Sequence, residues 1–259
     1  MGKKYIKNVE SMHVLGEYDV IVCGGGVSGC AAALYSARYG AKRLIIEKDG
    51  FLGGTAVSQM VPVILSTNAK DFEGVWHEFM NAIIDRGGLG YFRRGGQSYW
   101  YEGTYNPEVA KHVWIKLLQE ANVEMLFHVL ISDAIVEKNT IKGVVCYTKS
   151  GPAAIYAKRV IDCTGDGYVA FRAGVSFEQG DGKTKYAQAC TKMFRLGNAY
   201  KPKNWGGEEH LKVVMKNYKK SIEKEEYDTK AITTGYVVKY IKNKGGKELP
   251  DKQLALCIC

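Results

Sequence analysis

Residues 17–55 read EYDVIVCGGGVSGCAAALYSARYGAKRLIIEKDGFLGGT, and this stretch decides the fold. Tyr18 to Cys23 is a short β-rich run that stops at three consecutive glycines. Val27 to Tyr39 is small on one side and closes at Gly40, which predicts a helix ended by a glycine. Arg43 to Glu47 then reads as a second buried strand. Strand, glycine turn, helix and strand in this order predict a βαβ unit with parallel strands.

Gly24, Gly26 and Gly29 fit the spacing G-x-G-x-x-G, and each has its own physical task in a dinucleotide site. Gly24 turns the strand sharply, Gly26 leaves no side chain between backbone and pyrophosphate, and Gly29 lets helix and strand pack closely. The helix beginning at Val27 aims unpaired N–H groups and a positive dipole end at the phosphates. Glu47 ends the second strand, where a carboxylate accepts the hydroxyls of an adenosine ribose and repels a 2′-phosphate. The same glycines make a plain tight turn in many α/β proteins. Here strand, helix, second strand and terminal acid all stand in register, which is the context the motif requires.

Farther along, Asp71 to Arg86 shows helical spacing, and GGLG terminates it. YFRRGGQSYWYEGTY reads as a glycine-rich aromatic loop, and Pro107 opens another helix. VEMLFH, LISDAIVEKN, IKGVVCYTKSG and AAIYAKRVIDCTGDG read as strands, with turn signals at Asn139-Thr140 and Ser150-Gly151-Pro152 that predict a β-meander. Val160 to Asp162 runs into a Thr-Gly-Asp-Gly turn that lets the backbone approach a ligand; Asp166 is either a ligand contact or an ordinary turn former. TKMFRLG is a strand candidate and Glu208 to Tyr227 a helix.

The segment EKDGFLGGTAVSQMVPVIL resembles the stretch after the ribose acid in FAD-dependent oxidoreductases of the glutathione-reductase type. Together with NPEVAKHVWIKLLQEANVEMLFH, IDCTGDGYVAFRAGVSFEQG and TKMFRLG, it resembles the bacterial FAD-dependent oxidoreductases related to the flavin portion of heterodisulfide reductase, over roughly residues 5–200. The resemblance implies FAD as cofactor and an α/β, Rossmann-like FAD-binding domain with a parallel sheet and β-meander, followed by a partial α+β substrate or cap region. The expected division is an N-terminal arm at 1–17, the FAD-binding domain at 18–175 and the partial region at 176–259. The implied cofactor-binding set is Gly24, Gly26, Val27, Ser28, Gly29, Glu47, Lys48, Gly53, Gly54, Thr55, Leu130, Thr164, Gly165 and Asp166. The strand around His128 to Leu130 is expected beside the adenine, and Cys163 stands where the family commonly has alanine. Arg195 in MFRLG is the weak candidate for holding an acidic substrate. Nothing after Lys201 resembles the family's return to the flavin, and AQACT replaces its usual QP-x-T; this implies a shortened member. A homodimer or partner subunit would then complete the flavin site.

The bulk properties are those of an ordinary globular protein. In 259 residues, 46% are apolar and 24% charged, and no apolar run reaches the length of a membrane span. Residues 1–19 lack the apolar core of a signal peptide, so a cytoplasmic setting is expected. Seven cysteines without a CxxC pair predict reduced structural thiols and no metal site. The net charge of +9 comes from dispersed lysines interleaved with glutamates, so a small-molecule substrate is expected rather than nucleic acid. His77 and His112 on amphipathic helices are either catalytic side chains or surface and packing residues, and Arg93, Arg94, Tyr99 and Tyr101 in the aromatic stretch either line a substrate pocket or belong to a solvated loop. The flavin would carry the redox chemistry, so no protein nucleophile is required. Three readings follow: an FAD-dependent oxidoreductase passing a hydride or electron pair to or from a small molecule, a truncated non-catalytic nucleotide-binding subunit, and an NAD-dependent dehydrogenase. GFLGGT and CTGDG argue against the last.

Overall fold

A computed structural model describes residues 12–59, 62–66, 74–94, 101–178, 180, 212–213, 216–217 and 220. The chain divides into two compact units, Met1–Phe177 and Glu178–Cys259. In the second, the described residues Lys212, Val213, Lys216, Asn217 and Lys220 are helical and exposed. Arg195 and the expected TKMFRLG strand lie outside the described residues.

The first unit is built on a six-stranded sheet. In chain order its elements are β1 (His13–Cys23), α1 (Val27–Arg38), β2 (Arg43–Ile46), α2 (Thr55–Ser58), β3 (Val63–Ser66), α3 (Val75–Asp85), β4 (Leu89–Arg94), β5 (Tyr101–Tyr105), α4 (Pro107–Glu120), β6 (Glu124–Leu126), β7 (Leu130–Glu137), β8 (Thr140–Thr148), β9 (Gly151–Asp162) and α5 (Tyr168–Arg172). The sheet order is β6-β2-β1-β9-β8-β7. Strands β6, β2, β1 and β9 are parallel neighbours, while β7, β8 and β9 form the antiparallel meander. The fold is therefore α/β and Rossmann-like, with the meander returning β9 alongside β1.

The apolar run of β1 is continuous because both faces of the sheet are covered. Val22 enters a core with Cys30 and Leu34 of α1, Phe79 of α3 and Trp114 of α4. Its neighbours Ile21 and Cys23 point the other way, into a core with Val144, Cys146 and Ile155 of the meander. On the helical side Phe79 stacks between Trp76 and Trp114, with ring centroids 5.3 and 4.4 Å away, and meets Tyr105 edge-on at 5.9 Å. Such offset aromatic pairs add to what area burial alone supplies.

Three elements depart from the sequence reading. Strand β1 starts at His13, not Tyr18, because His13 to Glu17 pair with the first half of β9 (His13 with Ala153, Glu17 with Tyr156). Residues of the expected arm up to 17 thus belong in part to the sheet. Of the aromatic stretch, the described residues 91–94 and 101–105 are strand and not loop: β4 and β5 pair antiparallel, and β3 adds to β5 in a separate three-stranded sheet. Aromatic residues suit a pleated, half-buried surface, while the neighbouring glycines suit a loop, so the composition fits either. Finally, His128 is no strand residue; it takes a left-handed conformation with φ 57°, and β7 begins at Leu130.

Candidate functional site

Both glycine-rich turns lie at the carboxyl ends of neighbouring parallel strands, where open α/β sheets bind their ligands. Gly24 leaves β1 with φ 99°, and a Cβ there would stand 2.6 Å from the Cys163 carbonyl oxygen. At Gly29 a Cβ would run into the Gly24 carbonyl. These two glycines are required by the protein around them. Gly26 is different: its φ of −67° suits any residue, and a Cβ would meet nothing within 4 Å. Its small size leaves a space open in front of the turn. Gly26 is also the N-cap of α1 and supplies no side-chain cap, so the first turn of that helix, from Val27 through Ser28 to Gly29, has no side chain covering its amides.

A second loop closes on this turn. Gly53 donates its N–H to the Gly25 carbonyl at 2.8 Å and pairs with Gly26 as a parallel bridge. A Cβ at Gly54 would lie 2.9 Å from the Gly26 Cα. Leu52 is fully buried, and Thr55 opens α2 in an exposed position. The Lys111 ammonium of α4 sits 4.4 Å from the Phe51 ring centroid and pairs with Glu108 at 2.9 Å. The Tyr105 hydroxyl donates to the Ala56 carbonyl at 3.3 Å, and burial pushes its pKa up to about 12.

Glu47 is only 6% exposed, yet its carboxylate is satisfied. Oε2 accepts the Gly25 N–H at 2.5 Å and Oε1 accepts the Asp49 N–H at 2.8 Å. Two backbone donors offset the cost of burying the acid, and each oxygen keeps a lone pair for a further donor. Lys48 pairs with Asp49 at 3.0 Å, which raises the lysine pKa. Residues 47–50 run beside the 128–130 segment: Val129 donates to the Glu47 carbonyl at 3.1 Å, and the His128 ring lies 2.8 Å from where a Gly50 Cβ would stand. Leu130 is 58% exposed next to them.

The turn after β9 is held from within. Cys163 donates its N–H to the Cys23 carbonyl at 2.8 Å, fixing this turn beside the first. Asp162 Oδ1 accepts the Thr164 N–H at 3.0 Å and the Thr164 hydroxyl at 2.6 Å, while Oδ2 accepts the Ala170 N–H at 2.9 Å. The Thr164 hydroxyl in turn accepts the Tyr168 N–H at 2.7 Å. Gly165 and Asp166 are exposed at the tip, and a Cβ on Gly165 would meet nothing within 4 Å.

The remaining candidates fall away from these turns or have little chemistry to offer. His77 and His112 are exposed on α3 and α4. Arg93 and Arg94 belong to β4 and Tyr101 to β5, while Tyr99 lies outside the described residues. Cys23 and Cys30 are buried thiols whose pKa burial pushes upward, and burial raises Cys163 as well. None is prepared as a thiolate nucleophile. Among the described residues no cluster of His, Cys, Asp or Glu is arranged for a metal ion, and no helix is long and apolar enough to cross a membrane.

Sequence spacing missed Gly25, which leaves no room for a Cβ beside Leu52 and gives its N–H to Glu47. The middle one of the three consecutive glycines, which the G-x-G-x-x-G spacing leaves unassigned, was the available signal. It also missed Asp162, overshadowed by Asp166 four residues on.

This geometry defines a dinucleotide-binding protein, and comparison with known proteins specifies which class. Residues 19–255 match the FAD dependent oxidoreductase family, and the chain belongs to it. Its cofactor is FAD. Among curated relatives, the tRNA uridine 5-carboxymethylaminomethyl modification enzyme MnmG of Alkaliphilus metalliredigens is 31% identical over 160 residues, covering 58% of this chain and 24% of that enzyme. The thiamine thiazole synthase of Methanococcus vannielii is 30% identical over 159 residues, covering 58% of this chain and 56% of that enzyme. The chain thus spans about a quarter of the length of the first relative and about half of the second. Among solved structures, THI4 of Thermovibrio ammonificans matches 62% of this chain and 64% of its own, with a TM-score of 0.46 and 23% identity.

The residues present fit FAD. Gly26 leaves open the one place in the turn where a Cβ has no protein neighbour, and the uncapped first turn of α1 supplies amides for a diphosphate. Glu47 retains acceptor capacity beside them.

Proposed function

We propose that this chain holds FAD across its two neighbouring turns and exchanges a hydride or electron pair with a small molecule. The observation that carries the reading is the open face of Gly26, bounded by Gly53 and Gly54 and by the uncapped start of α1. In this assignment Gly24, Gly26, Val27, Ser28 and Gly29 receive the pyrophosphate on main-chain amides. Glu47 accepts the ribose hydroxyls with its free lone pairs, while Lys48 and Leu130 border the adenosine end. Gly53, Gly54 and Thr55 line the ribityl side, and Thr164, Gly165 and Asp166 approach it from β9.

FAD supplies the two-electron chemistry when bound. The protein's part is to bind, orient and shield: dipole and amides neutralise the diphosphate, and Glu47 discriminates against a 2′-phosphate by charge. The dispersed lysines behind the net charge of +9 favour a small anionic substrate over a nucleic acid. Relation to the flavin portion of heterodisulfide reductase, and completion of the flavin wall by a second protein chain, belong to the same reading.

The experiment is an absorbance spectrum of the purified protein, mass spectrometry of the released ligand, and titration with a reductant and then an acceptor. Bound FAD that bleaches and reoxidises is the expected result. Protein that neither carries nor takes up FAD overturns the reading. FAD that binds but exchanges no electrons identifies a non-catalytic binding component, and a low-salt gel shift with tRNA redirects the substrate toward that named for the MnmG relatives.

A further inference from the structure

We infer that Asp162 is a positioning residue for the cofactor, acting through Thr164 to set the conformation of the 164–166 turn. The inference rests on the FAD site proposed above and names the residue that builds its second half. Asp162 is the last residue of β9 and pairs in register with Cys23, the last residue of β1. It stands where the sheet ends and the turn begins.

Its carboxylate does three separate jobs. One oxygen takes both the amide and the hydroxyl of Thr164, which curls the chain back immediately after Cys163. The other takes the Ala170 amide, an orphan donor at the start of α5. The Thr164 hydroxyl, oriented by donating to Asp162, is left to accept the Tyr168 amide. Only a group that accepts on both oxygens satisfies this arrangement, and among side chains that is a carboxylate.

Two further contacts fix α5 to the sheet. Arg172 grips Asp133 of β7 in a two-bond fork, at 3.0 and 2.7 Å, and the Tyr168 hydroxyl donates to the Ser132 carbonyl at 3.1 Å. The turn is thereby held at both ends, by β9 through Asp162 and by β7 through α5. Between them Gly165, Asp166 and Gly167 are exposed. Among the described residues no side-chain hydrogen bond or ion pair involves Asp166; Asp162 is the acid that holds the turn.

The test uses the full chain with four variants: Asp162→Asn, Asp162→Ala, Thr164→Val and Thr164→Ser. Three readouts are needed: the FAD dissociation constant by flavin fluorescence, the thermal midpoint without FAD, and amide hydrogen exchange over residues 164–170. In Asp162→Asn the amide oxygen keeps Thr164, but its NH₂ faces the Ala170 N–H, so exchange there rises and FAD binds about tenfold more weakly. Asp162→Ala loses more. Thr164→Val weakens FAD similarly, and Thr164→Ser, which restores the hydroxyl, recovers it. If the Asp162 variants fail to fold, the Thr164 pair still decides. Folded variants that bind FAD within about twofold of the unaltered chain, with exchange unchanged, overturn the inference while leaving the FAD site standing. Failure of the unaltered chain to bind FAD overturns both.

Discussion

At the scale of single residues, the glycines of the first turn separate into two kinds. Gly29→Ala places a methyl against the Gly24 carbonyl and should cost about 1–3 kcal/mol by crowding, seen as a lower midpoint in urea unfolding. Gly26→Asp meets no neighbour in the protein and should leave that midpoint unchanged. It nonetheless sets a carboxylate against the pyrophosphate and should abolish FAD binding; stoichiometric FAD in this variant would refute the site. Tyr105 allows a prediction in pH. Its buried phenol has a folded pKa of about 12, above the ordinary value of 10, so folding favours the protonated form. That contribution is fully present below about pH 10, on the order of 2 kcal/mol, and disappears as pH rises toward 12. Urea unfolding at about pH 9 and pH 11 should show the stability of the unaltered chain falling more steeply than that of Tyr105→Phe.

At the scale of elements, the βαβ unit was legible because its physics is local. An apolar run, a glycine turn and a helix with a small-residue face follow one another without interruption. Helix α4 was equally readable: Asn106 caps it by accepting the Glu108 N–H at 2.9 Å, with Pro107 at the first helical position. Asn106→Ala should therefore cost about 1 kcal/mol in thermal or urea unfolding, and Asn106→Asp should retain most of the capping. The pairing of β3, β4 and β5 was not legible. Aromatic clusters interrupted by glycines satisfy a hairpin and a loop alike, and the partner strand β3 comes from a distant stretch. The roles of Glu47 and Asp162 were hidden for a related reason. Their partners are mostly backbone amides, and backbone amides leave no signature in sequence. Position alone makes Glu47 a candidate acid for the ribose; its hold on Gly25 and Asp49 is visible only in three dimensions.

At the scale of the whole molecule, the site joins residues from both ends of the first unit, so ligand and fold should be thermodynamically linked. With FAD at about a hundred times its dissociation constant, the unfolding free energy should rise by about 2.7 kcal/mol. For a unit of this size that corresponds to roughly 5–10 °C in the thermal midpoint. A midpoint that ignores added FAD in protein freed of flavin would argue against the assignment.

The pairing of β1 with β9 has a kinetic consequence. Cys23 meets Asp162 across most of the length of the first unit, and the pairing brings the two turns together, Cys163 N–H on the Cys23 carbonyl and Gly24 against Cys163. Closing so long a loop is an entropically expensive step, and nonlocal strand pairings are generally slow. The βαβ segment can form early, but a complete cradle cannot exist until β9 docks. Flavin capture during refolding should therefore lag behind the recovery of helical signal, making FAD a reporter of the last long-range contact to form.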